Sequence, residues 1–324
     1  AAGDVNDEKY QPLGGKINLK YEFLKLFLLF GCYDEAIFLL TKYPVLAQMS
    51  DEIPHHLHRL FQACADDFYY ENYHPIKDQA VKNSLMSKSM IGFLRDNNYI
   101  DYDHQKTKLI DTFKLPAGDN KLVFFYRNWD RALPKIKSID ELFSLANELL
   151  SFSGAKLALD GELITKLVRI GIKDITDNGK SKESGEITEE EYKTIQDKWL
   201  QFFRKFIFVA IPLMGTNSPL VEMTFSLFAL FPTHARYNLY GELEMKWKKR
   251  NLFINLENDQ ATKKTKDGLK RLSKTNANAI MRNLSNISFS NPLPFFQVIT
   301  TQVESYDNLI DLIVLSAGYY NAYA

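Results

Sequence analysis

Residues 55–58, "HHLH", form the only histidine cluster of this sequence. On a helix, His55 and His58 share a face and Asp51 stands one turn earlier, which makes a three-ligand set of the kind that holds a transition metal. No cysteine pair, second histidine cluster or HExxH spacing accompanies it. The competing reading is a histidine-rich first turn of a surface helix. Other chemistry finds less support: there is no GxSxG nucleophile elbow and no glycine-rich phosphate loop of the Walker or dinucleotide kind. The acidic run "TEEEY" at 188–192 needs only the helix macrodipole, which favours carboxylates in a first turn. The residues predict no enzyme activity, no cofactor and no bound metal.

Contact chemistry is better represented. "FPTHARYNLYGELEMKW", residues 231–247, reads as a helix with two tyrosines, a tryptophan and an arginine where a surface helix would carry Glu and Lys. With Phe231 at zero, Phe231, Ala235, Leu239 and Leu243 fall within about 120° of a helical wheel, and Phe228 joins them. That arc faces a core. Tyr237, Tyr240 and Trp247 fall in a second arc at about 160° to 240°, with Arg236 between the two. The second stripe packs on the next helical layer or on another subunit, so Arg236, Tyr237, Tyr240 and Trp247 are the candidate partner contacts. Gly241 either admits a close neighbour or kinks the helix.

A basic segment follows. From Lys246 to Lys274 there are ten Lys or Arg against three Asp or Glu. Phosphate contact is one reading, with Lys263, Lys264 and Lys266 as candidate RNA contacts on a mobile loop beside the helical body. A solvated face is the other, since only Trp247 and Phe253 interleave aromatic rings with the charge and no RNA-binding fingerprint occurs.

These side chains must be positioned by helices. The chain of 324 residues is 45% hydrophobic, enough for one large core, two moderate ones or an extended helical array. Its 40 basic and 40 acidic residues cancel, so no global field draws it to nucleic acid or membrane. Cys32 and Cys64, without a secretory signal, predict buried free thiols and an intracellular setting. The longest apolar run, Phe206–Met214, is too short to span a bilayer.

Boundary signals recur along the chain. Residues 17–30 and 34–43 read as antiparallel helices joined at Gly31-Cys32-Tyr33 and closed by Pro44. A third helix runs from about Asp51 to Tyr70. Ser138 with Glu141, and Thr188 with Glu191, are capping boxes. Pro219 and Pro292 suit first helical positions, and Pro232 closes the run 220–230. "KLVFFYRNW" at 121–129 reads as an extended connector or a short strand, while 174–186 and 255–265 read as polar loops. Residues 1–15 read as an acidic disordered tail, and the uncapped end "GYYNAYA" suggests a piece of a longer protein. No strict repeat holds, so helix density and short connections carry the expected fold class: all-α, an extended helical-repeat or α-solenoid scaffold.

Three ordered blocks carry a resemblance: "DKWLQFFRKFIFVAIPLM", "PLVEMTFSLFALFPTHARYNLYGELE" and "GLKRLSKTNANAIMRNLSNISFSNPLPFFQVITTQVESYDNLIDLIV". Together with "GKINLKYEFLKLFLLFGCYDEAIFLLTKYPVL" and "VFFYRNW" upstream, they resemble the THO complex subunit 2 family over about residues 16–324. Residues 75–120 and 174–190 depart from the family and inherit nothing. The resemblance implies a non-catalytic scaffold of the nuclear THO/TREX assembly, which couples transcription to mRNA packaging and export. It implies as partners the other THO subunits, especially subunit 1, and the DEAD-box RNA-dependent ATPase of TREX. It also divides the chain into a helical-repeat region at 16–274 and, at 275–324, the truncated start of a middle-domain-like helical repeat.

Overall fold

The computed structural model describes residues 18–73, 129–130, 133–215, 217–272, 276–306, 310–316, 318 and 320. Among them every regular element is helical, so the all-α class holds. Most of "KLVFFYRNW" lies outside the described residues; Trp129 stands in a turn. The chain divides between Leu149 and Leu150 into two compact units.

The first unit opens with α1 (Leu19–Phe30), α2 (Tyr33–Lys42), the single turn α3 (Leu46–Met49) and α4 (Glu52–Asn72). Asn18 caps α1 by accepting from the Lys20 amide at 3.1 Å. Gly31 ends it in the left-handed region at φ 72°, and the Cys32 amide donates back to the Phe27 carbonyl at 2.8 Å. The hairpin expected at Gly31-Cys32-Tyr33 is present. Leu24 and Leu28 of α1, Ala36 and Leu40 of α2, and Ala47 of α3 are buried, and α1 and α3 pack on α4.

α4 corrects the reading of the histidine cluster. Between Ile53 and Phe61 every side chain except half-buried His55 is buried, so this is a core helix rather than a surface one. His56 and His58 are fully buried, whereas Asp51 is exposed outside the helix. Among the described residues no group of three His, Cys, Asp or Glu side chains is placed to hold a metal. Arg59 is buried beside them; its guanidinium lies 3.5 Å from the centre of the Trp129 ring and donates to the Leu29 carbonyl at 3.2 Å. Burial lowers its pKa to about 10, leaving it charged at neutral pH. Cys32 and Cys64 are both free, and burial pushes the Cys64 thiol up to about 12.

The division into units falls within α5 (Ile139–Ser153). In the second unit a 3-10 segment at Gly154–Leu159 leads to α6 (Gly161–Glu183) and α7 (Glu189–Phe202). A π segment (Phe203–Ile207), a 3-10 segment (Phe208–Leu213) and α8 (Ser218–Phe228) follow. Both capping sites are occupied: the Glu141 amide donates to Ser138 Oγ at 3.2 Å, and Thr188 exchanges bonds with Glu191 at 3.2 and 2.8 Å. Asn217 caps α8 with Pro219 in its first turn.

Residues 174–183 are helical, and only 184–186 of the expected loop form a turn. α6 continues to Glu183, and its stop signal is Gly185 at φ 81°. Asp174, on this helix, accepts from the indole N–H of Trp199 at 2.7 Å and so ties α7 to α6. Trp199 is fully buried. Beyond it, Phe203 and Phe208 stack on Phe228 at 5.5 and 5.6 Å, which makes the aromatic core against which the next elements pack.

Candidate interaction surface

After α8 the chain turns through Phe231 and Pro232 into α9 (Thr233–Glu242). α9 runs without a break into a π turn at Leu243–Trp247 and a last turn at Lys248–Arg250. Phe228 and Phe231 therefore precede this helix rather than extend its wheel, although both are buried. α10 (Leu252–Lys270) follows, capped by Asn251, then α11 (Ala277–Ser290), α12 (Pro292–Ser305) and α13 (Ile310–Ser316). Pro292 takes the first position of α12, as its sequence context predicts. α10 packs against α11 and α12.

The four candidate partner contacts do not share one face. Tyr240 turns inward, with edge-on contacts to Phe208 and Phe228 at 5.6 Å each, and burial pushes its phenol up to about 12. Trp247 packs with Leu243 on a small core of Ala155, Val209 and Ile254. Tyr237 points outward and is 79% exposed. Arg236 is half-buried and donates from Nη2 to Thr233 Oγ1 at 3.1 Å, while its Nε finds no acceptor among the described residues.

The split follows from the wheel itself. Tyr237 and Tyr240 stand about 60° apart on α9, which turns Tyr240 toward Phe208 and Phe228. Trp247, four residues after Leu243, stays on the Leu243 side through the π turn. A second π segment, Phe203–Ile207, contains Arg204, whose Nε and Nη2 donate to Glu242 Oε2 and Oε1 at 2.6 Å each. Glu242 is the residue just before the π turn of 243–247. Sequence periodicity announces neither π turn, and Arg204 and Glu242 therefore escape a reading based on it. Among the described residues, a Cβ at Gly241 would meet nothing within 4 Å, so none of them approaches closely there.

Lys263, Lys264 and Lys266 lie on α10, not on a loop: residues 255–265 are helical throughout. The helix is held by a narrow stripe of Ile254, Ala261, Thr265 and Leu269. Thr265 satisfies its hydroxyl on the Ala261 carbonyl at 2.7 Å. All three lysines are exposed. Lys263, Lys266 and Lys270 fall within about 60° of one another on the wheel, and Lys264 stands about 100° away from Lys263.

Nearly the whole chain has a family counterpart. Residues 3–282 match the model of the THO complex subunit 2 N-terminus, and residues 284–324 match that of a transcription- and export-related complex subunit. The chain belongs to the THO complex subunit 2 family. It is 28% identical over 297 residues to THO complex subunit 2 of Saccharomyces cerevisiae, covering 91% of this chain and 18% of that one. To the Homo sapiens protein of that name it is 29% identical over 192 residues, 58% of this chain and 12% of that one. For Arabidopsis thaliana the identity is 24% over 175 residues, 52% of this chain and 10% of that one. The chain thus spans less than a fifth of the length of these THO complex subunit 2 relatives. The family is one of THO complex components, and the resemblance carried by the sequence blocks is borne out. Among the described residues no helix is long and apolar enough to cross a membrane.

Proposed function

We propose that this chain is part of a non-catalytic scaffold subunit of the nuclear THO/TREX assembly, which couples transcription to mRNA packaging and export. The observation that carries the reading is the THO complex subunit 2 match over residues 3–282 of a chain whose described elements are all helical. Helix pairs joined by short turns support an α-solenoid arrangement, with residues 16–274 as the repeat region and 275–324 as the start of a middle-domain-like repeat. The partners are other THO subunits, subunit 1 above all, and the DEAD-box RNA-dependent ATPase of TREX. Tyr237 is the side chain of the aromatic group that a partner reaches directly; Tyr240, Trp247 and Arg236 hold the helix that presents it. Coexpression with THO subunit 1 tests the reading: the two are expected to copurify at high salt, with crosslinks from residues 130–320. Subunit 1 that elutes alone from the intact assembly would overturn it.

A second reading, RNA contact, is favoured by the exposed lysines of α10. Replacing Lys263, Lys264 and Lys266 together with Glu changes only exposed positions, so the melt should move by no more than about 0.5 kcal/mol per site. Single-stranded RNA binding should weaken and its salt slope flatten, because fewer counterions are released. An unchanged affinity and slope would remove RNA from this helix.

A further inference from the structure

The leading hairpin carries an apolar seam that the described residues leave uncovered. α1 is apolar on two opposite sides: Leu24 and Leu28 face the core at 0% exposure, while Leu19, Phe23 and Leu26 are 67, 54 and 43% exposed. The spacing 19, 23, 26 steps by four and then three residues, the a/d period of a coiled-coil seam, and these positions share an arc of about 60°. Phe38 of α2 and Tyr43 at its end are exposed as well, as are Val45 and Met49. Single exposed apolar side chains are ordinary, but a heptad-spaced row of them is what a second helix covers.

The rim shows what kind of helix fits. Lys20 lies 3.8 Å from the centre of the Tyr43 ring and Lys42 5.7 Å from that of Phe38, at the open end of the hairpin. Neither is ion-paired among the described residues, whereas Lys25 nearby is bridged to Glu52 at 3.2 Å. Asp34 and Glu35 stand exposed at the start of α2, by the turn. Charge therefore changes sign along the hairpin.

We propose that the α1–α2 face docks one amphipathic α-helix of another protein. Its apolar side chains, spaced four and three, seat on Leu19, Phe23 and Leu26, and its acidic residues meet Lys20 and Lys42. The knobs-into-holes seam supplies the contact and the charge gradient sets its direction. This deepens the scaffold reading by naming the chemistry of one partner element.

The test uses the whole chain and a fluorescent synthetic helix of about 18 residues, with leucines spaced four and three, glutamates at one end and lysines at the other. Binding followed by anisotropy is expected at low salt. Phe23→Glu with Leu26→Glu should abolish it, and Lys20→Glu with Lys42→Glu should weaken it about tenfold, with the helical melt of both variants unchanged. No binding to the native chain, or equal binding to the seam variant, overturns the proposal. Light scattering that shows a dimer dispersed by the seam variant would overturn it in favour of a second copy. Copurification of the seam variant with subunit 1 separates this surface from the scaffold reading, which stands or falls on subunit 1 alone.

Discussion

Replacing Gly31 with Ala is expected to destabilise the first unit by about 3 kcal/mol or more, from two separable causes. The residue sits at φ 72°, where any side chain other than hydrogen costs about 1–2 kcal/mol. A Cβ there would also fall 1.8 Å from the carbonyl oxygen of Trp129 and 2.9 Å from its carbonyl carbon. Both are backbone atoms, and the Trp129 ring is in turn held against Arg59, so the obstacle cannot swing aside as a side-chain end would. Gly185 supplies the control, because it has φ 81° and, among the described residues, nothing lies within 4 Å of where a Cβ would stand. Gly185→Ala should cost only the conformational share, about 1–2 kcal/mol. Urea unfolding of the two variants measures the difference directly. Equal losses would mean that the approach of Trp129 to the α1–α2 turn contributes nothing.

Much of the fold was legible wherever a cap or a turn residue carries the boundary. Gly31, Ser138, Thr188, Pro219 and Pro292 stand at helix ends because each satisfies orphan backbone groups or fits a special dihedral, and those effects act locally. Interior continuity was harder to read. α6 runs through "DITDNGKSKE" because one face of it meets only water, so apolar periodicity vanishes while Asn178 still donates to the Asp174 carbonyl at 2.8 Å along the helix. α10 hides its buried stripe in Ala261 and Thr265, which are small and do not register as apolar. The candidate site was legible by residue type but not by direction. A straight wheel spreads Tyr237, Tyr240 and Trp247 over about 80°, and the edge of the buried side runs through that arc, so Tyr240 and Trp247 pack inward while Tyr237 faces out. The histidine cluster was misread for the opposite reason: polar letters suggested a surface, but the packing around α4 leaves His56 and His58 no solvent.

Those two histidines should make the first unit acid-labile well above the range in which carboxylates titrate. Burial lowers the pKa of His56 to about 3, with Arg59, Lys25 and His55 adding to the effect. Burial likewise lowers that of His58 to about 3, with a smaller contribution from His55. Unfolded, each returns to about 6.5. The folded state thus binds fewer protons than the unfolded one, so the stabilisation is fully present above about pH 6.5 and is lost as pH falls toward 3. At pH 5 the loss is about 2 kcal/mol for each histidine, roughly 4 kcal/mol together, a large part of what holds a small domain. Trp129, the tryptophan stacked on Arg59 in this unit, reports the transition, and urea midpoints at pH 7.5, 6 and 5 give the slope. His58→Gln removes one titrating group, and although it lowers stability at pH 7.5 it should halve the decline between pH 6.5 and 5. A native midpoint that stays flat over that interval would place the histidines in contact with water and contradict the buried α4.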